Sequence, residues 1–362
     1  GPQSWSPMRI DGVDAAVNGM EFFVHHEDVR RGEPGWEPRE PDEERDAELW
    51  AVVKADAYGH GASDVARAAL DAGATALCVV TAREGAALRE FLPAARVVVM
   101  SGIGPGDDKL ARDAGLEVCA STPDLPEGVQ VHLKVDTGMG RWGMSVDEAL
   151  SAPHNHVVGL MSHLATADER DQSFTREQIA RFLEVVAQFP GVPAHIANSA
   201  ATLAFPEARF DAVRCGVAVY GLSPFGDDPA PHGLEPVLSW RSYVALAKTL
   251  APGESTGYGR RFVADRATRI GIVPVGYADG FRRGLSGANV LVGDTRRQVL
   301  GAVSMDSLAV QLGEETAGAP VTLIGDGVLA EEHALRLGTI NYEITCAIRS
   351  DPLRADRRVV DG

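Results

Sequence analysis

From residue 49 to residue 221 the chain alternates short, almost wholly apolar runs with amphipathic stretches, and few architectures tolerate that pattern. The candidate strands are Leu49–Val53, Ala76–Val80, Val97–Met100, Leu116–Ala120, Val129–Val135, Val157–Leu164, Ala194–Ala197 and Val213–Tyr220. Being apolar nearly throughout, they suit strands covered on both faces, as in a parallel sheet. Ala62–Ala72, Glu84–Leu92 and Phe174–Phe189 carry apolar residues at helical spacing. Eight strands with interleaved helices predict an α/β fold, a TIM-like (β/α)8 barrel.

One connection resists that pattern. Between Ala120 and Val129 stands only Ser-Thr-Pro-Asp-Leu-Pro-Glu-Gly, whereas a parallel crossover normally takes a dozen residues or more. Two prolines forbid an ordinary helix there. The expectation is a barrel lacking one outer helix, with misplacement of the strand at 116–120 as the competing explanation. After about residue 225 the texture changes. Gly, Pro and Asp cluster at Ser223–Gly233, and longer alternating runs follow at Tyr243–Leu250, Thr268–Val275, Asn289–Val292, Val299–Leu312 and Pro320–Ile324. With one helix near Ala330–Leu337, this predicts a mainly β domain over 227–362, after a barrel domain over 1–226. An acidic, Pro-rich insertion at about 30–48 reads as a solvated loop, although Trp36 and Trp50 could anchor a lid or docking segment.

Net charge is −17, and Lys and Arg form no basic stripe, which argues against nucleic acid. No apolar run is long enough to cross a bilayer, and the start of the chain lacks a basic segment followed by an apolar one, so neither membrane nor secretory signal is expected. Cys78, Cys119, Cys215 and Cys346 are far apart, lack metal-ligand spacing and each sit in an apolar run. Buried thiols in a reducing cytoplasm are the expectation.

The chemistry starts at Ala-Val-Val-Lys-Ala-Asp-Ala-Tyr-Gly-His-Gly (51–61), where an apolar strand ends in Lys54. Barrel enzymes place reactive groups at the C-terminal ends of strands. Enclosure there disfavours the ammonium, and the neutral amine can form a Schiff base with an aldehyde. A strand-end lysine is more often a surface group, but its neighbours reverse that expectation. Ala-Asn-Ser-Ala-Ala-Thr-Leu (197–203) again runs from strand to helix, where Ser199 could cap the helix and a phosphate could sit. Val-Arg-Cys-Gly-Val-Ala-Val-Tyr-Gly (213–221) brings Arg214 and Gly216 to the last strand. Barrel phosphate sites are often built after strands seven and eight. Together with Lys54 these residues look like a cofactor cradle.

Here the chain resembles the alanine racemases. The run around Lys54 is close to that family's lysine signature for pyridoxal 5′-phosphate (PLP). Lys-Val-Asp-Thr-Gly-Met-Gly-Arg (134–141), Ser-His-Leu-Ala-Thr-Ala-Asp (162–168), Gly-Tyr-Gly-Arg-Arg-Phe (257–262), Val-Gly-Tyr-Ala-Asp-Gly (275–280), Val-Ser-Met-Asp (303–306) and Ile-Asn-Tyr-Glu (340–343) follow in the family's order. The resemblance implies a PLP barrel followed by a β domain. It makes Lys54 the Schiff-base lysine and one of two catalytic bases, and Tyr258, supplied by the partner subunit, the other. His163 would orient that tyrosine. Arg214 would face the pyridine nitrogen; an arginine only donates, so the nitrogen would stay unprotonated and the ring would be a weaker electron sink.

Tyr58, Ser199, Tyr342 and the backbone at Gly216 and Val217 would hold the phosphate, with Asn198 beside them in the cofactor site. Arg141 and the backbone at Met305 would bind the substrate carboxylate, while Tyr277, Asp306 and Tyr342 would line the substrate's way in. Lys134 matches a lysine carbamylated in many members; a carbamate there would brace Arg141. Asp136 is expected to support the site by hydrogen bonding. A homodimer with shared sites, a small amino-acid substrate and no metal are implied. The implied reaction is interconversion of L- and D-alanine by two-base transfer of the Cα proton.

Three features depart from the family pattern. Ile10, Asp11 and Asn18 keep the usual opening frame, but Gly12 and Val13 interrupt it, and both the acidic insertion and the shortened connection after Ser121 are unusual. They raise the alternative of a divergent paralogue: a serine or broad-range racemase, a biosynthetic PLP enzyme or a decarboxylase. A non-catalytic PLP carrier would resemble the barrel alone and lack the β domain and its tyrosine.

Overall fold

A computed structural model describes residues 9–11, 47–104, 106–154 and 156–359. The acidic stretch at 30–46 and the segment around Asn18 lie outside the described residues. The chain divides into two compact units, one ending at Val219 and the other running from Tyr220 onward together with the N-terminal residues. Strand β1 (Arg9–Asp11) belongs to the latter, although a division at 226/227 gives it to the barrel.

The first unit is an eight-stranded parallel sheet of β2 (Glu48–Val52), β3 (Ala76–Val79), β4 (Val97–Val99), β5 (Glu117–Ala120), β6 (Gln130–Lys134), β7 (Val157–Met161), β8 (Ala194–His195) and β9 (Ala212–Cys215). From β2 to β8 each strand pairs with the next in sequence, and β9 returns to pair with β2, so that β8 and β9 are the two ends of the sheet. Asp211 N–H donates to Ala194 O (3.1 Å) and Arg214 N–H to Ala197 O (3.0 Å), which closes the sheet into a barrel. Around it lie α1 (Ala62–Asp71), α2 (Ala82–Phe91), α3 (Asp107–Asp113), α4 (Val146–Ser151), α5 (Ser173–Val186) and α6 (Ser199–Ala204). Helix α1 turns Val65, Ala66 and Ala69 inward, and α2 starts on a Thr81–Glu84 capping box. Between Ala120 and Gln130 the chain is turn and bend, so the outer helix after β5 is missing and the strand at 116–120 is correctly placed.

The run Val213–Tyr220 is not one strand. It pairs only to Cys215, and Val217–Tyr220 then closes into a 3-10 turn. The whole run is buried, so its apolar composition is the same for both structures.

The second unit is built on a nine-stranded, mostly antiparallel sheet. Its strands are β1, β10 (Ser239–Tyr243), β11 (Leu246–Leu250), β14 (Thr268–Val273), β15 (Asn289–Val292), β16 (Thr295–Leu300), β17 (Leu308–Gln311), β18 (Pro320–Ile324) and β19 (Asp356–Arg357). A separate ribbon pairs β12 (Ser255–Thr256) with β13 (Phe262–Val263). Leu250, Ala264, Ile270, Leu300 and Ala309 form one apolar cluster, with Phe262 and Ile272 against it. Helix α7 (Ala330–Leu337) lies where the sequence predicts it, and a short α8 (Asn341–Cys346) follows. The run Val299–Leu312 is two strands, because Gly301 at φ 67° turns the chain out of the sheet. Cys78, Cys119 and Cys215 are buried as expected, whereas Cys346 is exposed near the end of α8.

Candidate active site

Lys54 stands one residue beyond the end of β2, after Val53, and is half-buried. The backbone after it is left-handed at four consecutive residues, with φ of 54° at Ala55, 53° at Asp56, 52° at Ala57 and 55° at Tyr58. For side chains with a Cβ this costs about 1–2 kcal/mol each, so the turn needs outside support. Glu84 supplies it: Oε1 accepts from Ala55 N–H (2.9 Å), and Oε2 from Val80 N–H (2.9 Å) and Thr81 N–H (3.0 Å). Asp56 Oδ1 accepts from Ala62 N–H at 2.8 Å, joining the turn to α1. The turn brings the buried Tyr58 back over Lys54, whose Nζ lies 5.8 Å from the centre of the Tyr58 ring.

Tyr58 also reaches Gly216. A Cβ built on Gly216 would stand 2.4 Å from the Tyr58 hydroxyl, so only glycine admits that oxygen. Ser199 Oγ accepts from Gly216 N–H (2.9 Å) and Ala218 N–H (3.3 Å). The cap of α6 is therefore Asn198, whose Oδ1 accepts from Ala201 N–H at 3.0 Å, and not Ser199. Being one residue inside the helix, Ser199 turns to the 3-10 turn after β9 instead. Two hydroxyls and two backbone N–H groups meet there, beside Val217.

Arg214 is fully buried. Its Nη1 donates to His195 Nδ1 (2.7 Å), and Nη2 lies near Ser162 O (2.9 Å), Ile196 O (3.1 Å) and His163 Nδ1 (3.2 Å). Lys134, buried at the end of β6, donates to Met100 O at 2.8 Å. Burial brings its ammonium down to about 8, and the charges of Arg214, Arg141 and Lys54 push the same way. Burial holds His163 well below the ordinary histidine range, aided by Arg214, Lys134, Arg141 and Lys54. Arg141 is exposed on a turn held by Asp136, which accepts from the N–H groups of Gly138 (2.8 Å) and Gly140 (2.9 Å). The positive charges of Arg214, Lys134, Arg141 and Lys54 thus all act on one imidazole, in a chain of net charge −17. A group bearing both a phosphate and an aldehyde fits this setting: hydroxyls and N–H groups for the first, an amine for the second.

Sequence reasoning missed Glu117, His132 and His195, which line up behind Arg214 inside the barrel. The available signal was a polar residue next to buried apolar ones in each of three strands, although in β6 Gln130 and Lys134 mask it.

The second unit gathers the remaining candidates. Tyr277 N–H donates to Ser304 O (3.0 Å) and Ala278 N–H to Met305 O (3.0 Å), so Tyr277, Met305 and Asp306 share one corner. Arg354 bridges Asp279 (2.6 Å) and Asp306 (2.8 Å) there. The turn carrying Tyr258 packs on the adjoining loop, where a Cβ on Gly257 would meet Ala302 at 3.0 Å. Tyr342, on α8, is tied to the same corner through Gly280, whose Cβ would meet Ala347 O at 2.5 Å. Tyr258, Tyr277 and Met305 are exposed, Tyr258 to 73%.

The family model described as alanine racemase, N-terminal domain, matches residues 42–224, and that described as alanine racemase, C-terminal domain, matches residues 237–356. The chain belongs to the alanine racemase family. It is 40% identical over 330 residues to the alanine racemase of Geobacillus stearothermophilus, covering 84% of this chain and 85% of that one. It is 38% identical over 328 residues to alanine racemase 1 of Bacillus subtilis (strain 168), covering 83% and 84%. The solved alanine racemase of Streptomyces coelicolor A3(2) superposes with a TM-score of 0.86 at 36% identity, over 98% of both chains. That of Bartonella henselae, which carries covalently bound pyridoxal phosphate, gives 0.85 at 25% identity, over 98% of this chain and 99% of the other. The chain is thus by family an amino-acid racemase, an isomerase. The C-terminal match counts against a carrier that would lack that domain. Among the described residues no helix is long and apolar enough to cross a membrane.

Proposed function

We propose that this chain interconverts L- and D-alanine with PLP held on Lys54. The observation that supports this best is the placing of Lys54 Nζ 5.8 Å from the buried Tyr58 ring, whose hydroxyl lies against Gly216, the residue whose N–H donates to Ser199 Oγ. Tyr58, Ser199, Tyr342 and the backbone at Gly216 and Val217 would hold the phosphate, with Asn198 shaping the helix start beside them. Bound PLP supplies an electron sink that acidifies the Cα–H bond of an attached amino acid. Arg141 and the Met305 backbone would hold the substrate carboxylate, with Tyr277, Asp306 and Tyr342 restricting the side chain to a small one.

Racemisation needs a base on each face of Cα. Lys54 serves one face and Tyr258, supplied by the partner subunit of a homodimer, the other. Tyrosine is a poor base near neutrality, so its oxygen needs a donor. Arg214 can only donate, so Nδ1 of His163 accepts and the proton of this neutral ring sits on Nε2, ready to donate to the tyrosine oxygen. Exposure of Tyr258, Tyr277 and Met305 is consistent with cover by a second subunit. We further propose a cytoplasmic setting, a domain division near residue 226, and a carbamate on Lys134 that braces Arg141.

The test is a panel of single-enantiomer amino acids incubated with the purified holoenzyme. Loss of optical activity for alanine alone is expected; loss for serine or for many amino acids, or for none, overturns the reading. Borohydride should fix the cofactor to wild type and fail to fix it to Lys54→Ala.

A further inference from the structure

A polar column runs through the barrel interior, where such barrels normally stack branched apolar side chains. Glu117 Oε2 lies 2.8 Å from His132 Nε2, His132 Nδ1 lies 2.9 Å from His195 Nε2, and His195 Nδ1 lies 2.7 Å from Arg214 Nη1. Arg96 grips Glu117 through Nε (2.9 Å) and Nη2 (3.0 Å) and stacks 4.6 Å above the Trp50 ring. Trp50 in turn lies 4.5 Å from the His195 ring, so both imidazoles are sealed from water.

The bond directions are fixed from both ends. A carboxylate only accepts, so His132 Nε2 carries a hydrogen; a guanidinium only donates, so His195 Nδ1 is bare. The middle bond then has His195 Nε2–H donating to His132 Nδ1. A further proton on His132 would set two N–H groups face to face at that bond, and one on His195 would do so against Arg214. Both rings are therefore neutral and both carry hydrogen on Nε2. Burial holds both histidines below their ordinary range. Burial opposes ionisation of Glu117, but the bonds from His132 and Arg96 outweigh it and bring the carboxyl to about 2.

We propose that Glu117 is a positioning residue for Arg214, acting through His132 and His195. Its charge selects one tautomer in each ring, so that His195 offers a lone pair to Arg214 Nη1 and fixes the guanidinium as a donor. With both rings in the other tautomer, His195 would aim an N–H at Arg214 and push it away. The inference rests on Arg214 facing the cofactor, as proposed above, while Glu117 itself stands apart behind two rings.

The test uses holoenzyme labelled with 15N-histidine and long-range 15N–1H spectra, which separate the two neutral tautomers and the charged ring. Signals are assigned with His132→Gln and His195→Gln. At neutral pH both wild-type rings should be neutral and protonated on Nε2. Glu117→Gln keeps the shape and removes the charge. It should mix the tautomers, alter the absorption band of the bound cofactor, and lower kcat about tenfold with KM changed less than about twofold, the size of one charge-assisted hydrogen bond. A wild-type ring that is charged or protonated on Nδ1 overturns the proposal, as do unchanged tautomers or an unchanged kcat in Glu117→Gln. If that variant does not fold, the wild-type spectrum still decides. Wild-type holoenzyme that racemises nothing would sink the racemase reading but leave the tautomer result standing.

Discussion

Nη2 of Arg214 lies 3.2 Å from Nδ1 of His163, and only the arginine can supply the hydrogen. The guanidinium is also shared by His195 and the carbonyls of Ser162 and Ile196, in a site closed to water. Lysine at this position keeps the charge but cannot reach four acceptors arranged as a fork. Arg214→Lys should lose about 1–3 kcal/mol for each buried acceptor left unpaired. Urea unfolding of the purified variant checks this, and a stability equal to wild type would refute it.

Lys134 couples folding to pH. Its amine goes from 10.5 in the ordinary range to about 8 in the folded chain, chiefly through burial. Between those values the unfolded chain binds more protons, so stability rises with pH across that window, and the cost of burying the ammonium is fully present below about 8. The rise is on the order of 3 kcal/mol at 1.36 kcal/mol per pKa unit. Lys134→Met should lack it in denaturant titrations at the two ends of the window. A carbamate would replace the cation by an anion and also abolish the rise, so the measurement belongs in CO2-free buffer, with 13C-bicarbonate added afterwards to report the modification.

The barrel was legible because its strands are apolar on both faces, and the missing helix because Pro123 and Pro126 leave so short a connection. Strand ends were not legible: Val217–Tyr220 is as apolar in a 3-10 turn as it would be in β9. Lys54 and Arg214 stood out by their places at strand ends. Glu117, His132 and His195 did not, because their roles depend on one another across three strands and no local spacing records that. The left-handed turn after Lys54 was hidden for a related reason: its four residues, Ala55, Asp56, Ala57 and Tyr58, include no glycine, and it is held by Glu84, distant in sequence.

Gly216 tests the proposed phosphate pocket. An added methyl would meet the Tyr58 hydroxyl at 2.4 Å and its ring carbon at 2.9 Å. Tyr58 is buried and cannot move freely, so Gly216→Ala should cost about 1–3 kcal/mol through overpacking. The displaced hydroxyl should also weaken PLP at least about tenfold, the value of one hydrogen bond to a charged group. Equilibrium titration of the apoenzyme with PLP, followed by absorbance, reads this; unchanged affinity would remove Tyr58 from the pocket.

The left-handed turn should be separable from its clamp. Glu84 accepts three backbone N–H groups, and these bonds, against the opposing effect of burial, hold its carboxyl below the usual 4.5. Its contribution is therefore present above that value and lost as the pH falls beneath it. Glu84→Gln would turn an amide N–H toward at least one of those donors, costing about 1–3 kcal/mol. Ala55 is exposed with φ 54°, so Ala55→Gly should relieve about 1 kcal/mol of backbone strain. Put together, the two changes should partly cancel in urea unfolding. The double variant should nevertheless trap less cofactor with borohydride than wild type, because Lys54 is then followed by a flexible glycine and a turn without its Glu84 clamp. Full trapping in the double variant would show that the left-handed turn does not set the position of Lys54.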